Sequence, residues 1–255
     1  MDFLLGLGKI RARAVLAVSM TIVAIITVIL ISTLPDKGVT RLLIDSEASY
    51  FPWTIQNLMW WMFFLGIGEL IYRLAQARHL DRQLEDDLLR QAGKEVITPE
   101  KVRGLYMAFR SRSRFADDLP ALLKRLLLQF QTTGSVGQTQ EFFNAQIDLR
   151  YNRMESDYTM IRYIVWVIPT LGFIGTVMGI AMALSFAAAS DPQAASFLAG
   201  LTGKLSVAFY TTLVGLVMSA ILVFFMSLIQ GYEEGRLQAV ESYVLDHMIN
   251  RLYKP

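Results

Sequence analysis

Apolar and polar residues fall into long blocks along this chain. Uncharged apolar runs occupy 14–35, 48–68, 163–189 and 205–232. Each has about the 20 residues a helix needs to cross the hydrocarbon of a bilayer. The first is rich in Val, Ile and Ala. The second carries Pro52, Gln56 and Asn57 near its start, and Trp53 suits a membrane interface. Trp60 and Trp61 lie deeper and are expected to pack against another helix. The first run is longer than the apolar core of about 7–15 residues in a signal peptide, and no small-residue cleavage pattern follows it. It is expected to be a retained anchor.

Between the membrane hairpins the period changes. Thr98-Pro99-Glu100 is a helix start: a capping hydroxyl, a proline at the first helical position and an acid in the first turn. Asp117-Asp118-Leu119-Pro120 starts a second helix, with Leu122, Leu123, Leu126 and Leu127 on one face. Residues 132–137 read as a linker with two glycines. After it, Phe143, Ile147, Tyr151, Met154, Tyr158, Ile161, Val165 and Ile168 follow at steps of 4, 4, 3, 4, 3, 4 and 3. That is one face of a helix continuing from water into the membrane. Leu237, Val240, Val244, Met248 and Leu252 form a matching series in the tail. The two extensions are expected to run antiparallel and bury these faces together, the alternative being two separate surface helices. The expected fold is an all-α membrane protein with four transmembrane helices and long cytoplasmic helical extensions. Residues 1–75 hold the N-terminal segment and first hairpin (spans about 14–35 and 48–72). Residues 76–160 are a cytoplasmic helical region, 161–232 the second hairpin (spans about 163–189 and 205–230), and 233–255 a C-terminal cytoplasmic helix.

Composition agrees with this reading. The chain is 54% hydrophobic and 18% charged, with a mean hydropathy of +0.41. Of 24 Lys and Arg, only Lys37, Arg41 and Lys204 fall in the loops 36–47 and 190–204. By the positive-inside rule both termini and the segment from Arg73 to Arg162 are expected in the cytoplasm. There are no cysteines and only two histidines, His79 and His247. Disulfides, thiol nucleophiles and iron–sulfur sites are thereby excluded, and zinc and haem are disfavoured. Both histidines are expected to be solvated. A net charge of +2 leaves no footprint for nucleic acid. The mixed charges Asp81, Arg82, Glu85, Asp86, Asp87 and Arg90 suit a solvated face or a docking surface. Glu69 is expected to pair with Arg73 at the membrane boundary.

The candidate chemistry lies in the last two spans, which contain no Asp, Glu, Lys, Arg or His. In the third, Gly172, Thr176, Gly179, Ala183 and Ala187 follow at steps of 4, 3, 4 and 4, and Gly175 and Gly179 form a GxxxG. In the fourth, Ala208, Thr212, Gly215 and Ser219 follow at steps of 4, 3 and 4. Small faces let helix backbones approach closely in lipid, so these stripes can simply pack two helices together. One threonine can satisfy itself on its own helix. Two at comparable depth, each centred on a small face, suit a shared polar lining. A hydroxyl can position a water or an ion but stores no proton. Either no ion path exists, or another chain brings the carboxylate. Pro169 removes one backbone hydrogen bond near the start of the third span.

The string IPTLGFIGTVMGI at 168–180, followed by VAFYTTLVGL at 207–216, resembles the MotA/TolQ/ExbB proton channel family over roughly 140–235. The resemblance implies a homopentamer in the bacterial inner membrane around a dimer of a single-span MotB/TolR/ExbD-like partner that carries an Asp. Ion flow, of protons or alternatively sodium, would turn the pentamer as a rotary motor or stator. Thr176 and Thr212 would line the ion path with Thr211 adjacent, and Pro169 would sit at the cytoplasmic gate. Gly172, Gly175, Gly179, Ala183, Ala208, Gly215 and Ser219 would pack around the partner. Where transport-branch members of that family carry a Glu five residues before the second threonine, this chain has Val207, so no subunit-borne acid relay is implied. No bound cofactor is expected. A non-conducting membrane scaffold is the competing class. An enzyme is disfavoured, since no nucleophile–base pair, metal cluster or phosphate-binding loop is evident.

Overall fold

The computed structural model describes residues 9–34, 37–44, 51–86, 97, 99–112 and 118–252. Thr98, Asp117, Asp87 and Arg90 lie outside them. The described residues form an all-α protein. Its helices are α1 (Lys9–Ser32), α2 (Lys37–Ile44), α3 (Ile55–Glu85), α4 (Pro99–Arg112), α5 (Leu119–Thr133), α6 (Val136–Ala189) and α7 (Phe197–His247), followed by a short 3₁₀ turn, Ile249–Arg251. Helices α1, α3, α6 and α7 are long and apolar enough to cross a membrane. The expected linker is shorter than its composition suggests. Helix α5 ends at Thr133, Gly134 takes the left-handed φ of 60° that closes it, and Gly137 is already inside α6.

Two compact units emerge. The first combines residues 1–72 with 159–228, and the second 73–158 with 229–255. In the first unit, α1 meets α3 at an anchored corner. Gly68 lets α1 approach so closely that a methyl group there would lie 2.7 Å from Met20. Arg13 of α1 pairs with Glu69 at 2.9 Å, and its guanidinium lies 5.3 Å from the centre of the Tyr72 ring. This corrects the expectation of an intrahelical pair between Glu69 and Arg73. Burial on α3 turns Arg73 toward other partners, while α1 brings its own cation to Glu69. The two tryptophans do pack as expected. Trp61 Nε1 donates to Thr21 of α1 at 3.1 Å, and Trp60 Nε1 donates to the Leu43 carbonyl of α2 at 3.1 Å. The start of α3 is capped by Thr54, whose hydroxyl accepts the Asn57 amide.

The second unit is a water-excluding helical core. Val102 and Phe109 of α4 and Leu119, Leu122, Leu123, Leu126, Leu127 and Phe130 of α5 pack with Phe143 and Ile147 of α6. Leu237, Val240, Val244 and Met248 of α7 complete it. The expected antiparallel pairing of the two extensions is therefore present, with α4 and α5 covering it. The second unit also buries an ionic network. Arg73 is almost wholly buried. It donates to Glu233 and to the Met154 carbonyl, each at 3.1 Å, and pairs with Asp157 at 3.2 Å. Its guanidinium lies 4.7 Å over the Tyr158 ring. The Tyr158 hydroxyl donates to Glu233 at 3.0 Å. Burial, and then the Glu233 carboxylate, push that phenol well above its ordinary value, so it remains a donor at any physiological pH.

His79 departs from the expectation of a solvated ring. It lies 3.4 Å from Asp118 and 2.9 Å from Gln83, whose carbonyl oxygen accepts the Leu119 amide at 2.9 Å. Asp118 starts α5 as its N-cap residue, but without a capping hydrogen bond from its own side chain; Gln83 supplies one from α3 instead. His247 is exposed and stacks on Tyr243.

A second clasp joins α3 to α7: Asp81 accepts from Arg236 at 2.6 Å and from the Tyr232 hydroxyl at 3.0 Å. The Arg236 hydrogen bond is the chief reason its carboxyl is held below the ordinary 3.8; burial opposes it and Tyr232 adds to it. A carboxyl with a depressed folded-state pKa stabilises fully above its unfolded value, and that contribution is lost as pH falls through the folded one. Thermal unfolding of Asp81→Asn should therefore show a loss of about 0.5–1 kcal/mol at neutral pH. The gap to the native chain should narrow below about pH 4.

Candidate functional site

The third and fourth spans meet through glycines. A methyl group at Gly172 would lie 3.0 Å from the Thr211 carbonyl, and one at Gly175 would lie 2.7 Å from Thr211 Cβ. At Gly179 it would lie 2.8 Å from both the Cβ and the amide nitrogen of Ala208. On α7, Gly215 faces the Ile168 carbonyl at 3.1 Å in the same sense. Backbone therefore lies almost on backbone over three turns. Ala183, Ala208, Thr211 and Ser219 are buried, and Thr176 and Thr212 are half-buried. Larger side chains such as Phe173, Val177, Phe209, Leu213 and Phe224 are exposed on the other faces of the same helices.

This closeness brings the hydroxyls of Thr176 and Thr212 into direct hydrogen-bond contact. Each also reaches two carbonyls. Thr176 Oγ1 lies 3.2 Å from the Gly172 carbonyl of its own helix and 3.0 Å from Ala208 across the interface. Thr212 Oγ1 lies 3.2 Å from Ala208 of its own helix and 3.2 Å from Gly172 across it. The result is a crossed cluster of four oxygens. A hydroxyl carries one proton and two acceptor lone pairs, and a carbonyl only accepts. The two carbonyls already accept the helical amides of Thr176 and Thr212, and Ala208 also accepts the Thr211 hydroxyl. With two lone pairs on each of the four oxygens, lone pairs nevertheless remain in surplus over protons. Such a cluster can orient a water or contact a cation. It has no group that ionises in the accessible range, because neither span contains an acid, a lysine, an arginine or a histidine.

Thr211 is placed differently. Its hydroxyl turns back to the Val207 and Ala208 carbonyls of its own helix, and its side chain is buried against Gly175. Pro169 stands inside an uninterrupted α6. Ser219 donates across the interface to the Val165 carbonyl at 3.0 Å. Residue pattern alone points to the two threonines but not to the carbonyls of Gly172 and Ala208, which are invisible as side chains. The signal for them is the glycine at each point of closest approach. The described residues contain no group of three or more His, Cys, Asp or Glu able to hold a metal.

The interface predicts its own sensitivity. Gly179→Ala forces a methyl group onto the backbone of α7 and should destabilise the protein by about 1–3 kcal/mol. Gly203→Ala, where nothing lies within 4 Å, should stay within about 0.5 kcal/mol. Thermal melting in detergent checks both.

No curated protein and no solved structure matches the chain. A family match does exist, and it covers α5, all of α6 and α7 up to residue 242, including every residue of the hydroxyl cluster. Residues 118–242 match the model of the MotA/TolQ/ExbB proton channel family.

Proposed function

We infer that this chain is the pentameric subunit of an ion-driven rotary motor or stator. Five copies surround a dimer of a single-span, MotB/TolR/ExbD-like protein. An Asp on that partner's helix exchanges ions past the Thr176–Thr212 pair, and the exchange turns the pentamer about the dimer. The observation that carries this reading is the hydroxyl cluster: oxygen-rich, centred in two spans, and without an acid of its own. The family match and the four apolar helices support it. The basic residues at the N-terminus and between Arg73 and Arg162 support an inner-membrane placement with both termini in the cytoplasm. The preferred ion is the proton, with sodium the alternative, since lone pairs serve either. One charge crossing 100 mV releases about 2.3 kcal/mol, enough for a modest rotation step per ion.

A second reading is a membrane scaffold that does not conduct. What favours it is that both hydroxyls and the small stripe are already engaged within one chain. Flux separates the two. In vesicles holding the chain with its single-span partner, Thr176→Val and Thr212→Val should each lower ion flux by about threefold to tenfold, the effect of one lost hydrogen bond. Unchanged flux in both sinks the conducting reading. Thr211→Val, which removes a hydroxyl already turned to its own helix, tests whether the lining extends to that residue.

A further inference from the structure

Proline at position 169 leaves a specific gap in the backbone ladder. An α-helix pairs each amide with the carbonyl four residues earlier, so the Val165 carbonyl has lost its partner. In hydrocarbon an unsatisfied carbonyl costs several kcal/mol. The group that takes the amide's place comes from the other helix: Ser219 Oγ donates to Val165 at 3.0 Å.

Away from the α6–α7 contact, hydroxyls in the apolar helices donate to their own backbone: Ser19 to Val15, Thr21 to Ala17, Thr27 to Val23, Thr170 to Trp166 and Thr202 to Leu198. Ser219, like Thr176 and Thr212, instead reaches a carbonyl across the interface. It can do so because Gly215, one turn earlier on α7, lies 3.1 Å (measured from the Cβ it lacks) from the Ile168 carbonyl and holds the two backbones together. Ser219 is also buried, so neither water nor lipid competes for its proton.

We propose that Ser219 is a positioning residue, whose hydroxyl replaces the amide hydrogen missing at Pro169 and so latches α6 to α7 in the register that opposes Thr176 and Thr212. The latch lies two to three turns from the threonine pair on both helices. An open Val165 carbonyl would leave the Pro169 break free to bend, and a bend there shifts Thr176 relative to Thr212. The latch does not depend on ion passage and stands or falls separately from the conducting reading.

The absence of native cysteines makes a clean test possible. The full chain carrying Thr176→Cys and Thr212→Cys is oxidised in membranes together with its partner, and the intrachain disulfide is followed by gel mobility. Ser219→Ala, which removes one oxygen and little shape, should slow disulfide formation about fivefold and, in the chain with native threonines, lower the Tm by about 2–4 °C. Pro169→Ala restores an amide that bonds Val165 directly. In that background Ser219→Ala should alter neither readout. Equal losses with and without the proline would overturn the proposal, because the hydroxyl would then not be substituting for the amide. No loss in either background would overturn it as well. A lower Tm with an unchanged disulfide rate would reduce Ser219 to a stabilising contact and overturn the positioning role.

Discussion

A polar group that enters hydrocarbon has to find its partner inside the protein, and the membrane unit is organised by that requirement. It explains why the spans are helices, which satisfy their own backbones. It also explains why most hydroxyls in them turn back one turn to a carbonyl of the same helix. The two long spans depart from that habit at one stretch. Gly172, Gly175, Gly179 and Gly215 remove the side chains that would hold the helices apart. Once the backbones are that close, a carbonyl on one helix is nearer to a hydroxyl on the other than to solvent of any kind. The crossed bonds of Thr176, Thr212 and Ser219 follow from the glycines. Side chains as large as leucine at those positions would return each hydroxyl to its own helix and dissolve the cluster.

The second unit rests on different physics. There, water exclusion drives assembly, and the apolar faces of α4, α5 and the two extensions form one continuous core. Within it Arg73 is a costly choice, since a buried cation loses its hydration. Glu233, Asp157, the Met154 carbonyl and the face of Tyr158 together compensate for that loss. Removing any one acid would leave the cation short of a partner. The network therefore fixes how α3, α6 and α7 meet in this unit more sharply than leucines alone would, because leucines tolerate repacking.

Much of this architecture is legible in the residue pattern. The eight-residue apolar series from Phe143 to Ile168 marks one helix face, because a 3.6-residue period kept up over seven turns does not arise in a strand or a loop. Each of its members is buried or half-buried. The members of the series from Leu237 to Leu252 are buried as well, although the expected C-terminal helix ends at His247, so Met248 and Leu252 reach the core from beyond it. Pairings are less legible. Glu69 and Arg73 stand four apart on one helix, a spacing that suits an ion pair, yet each finds a partner on a different helix. Local spacing ranks neighbours along the chain and knows nothing of Arg13 or Glu233. His79 escapes the pattern for the same reason, since Asp118 is distant in sequence. The threonines can be named from sequence, but Gly172 and Ala208 contribute through carbonyls, and a carbonyl leaves no mark on residue identity. Proline is the exception: it announces an orphaned carbonyl four residues earlier, so Val165 can be found from sequence and only its donor cannot.

On the motor reading, the absence of acids from the last two spans has a consequence for control. A carboxyl buried among these apolar faces would be driven toward its neutral form by desolvation, and its charge would follow every change in its surroundings. Hydroxyls and carbonyls keep the same character at every physiological pH. The lining contributed by this chain is then a constant background, and all titration belongs to the partner's carboxyl. Such a division suits a machine in which one element must change charge state while passing several identical neighbours. If the neighbours titrated too, each would trap the ion at its own depth, and the steps would no longer be equivalent. A sleeve of non-titrating oxygens leaves the moving charge on the guest helix, where its position sets the direction of the force.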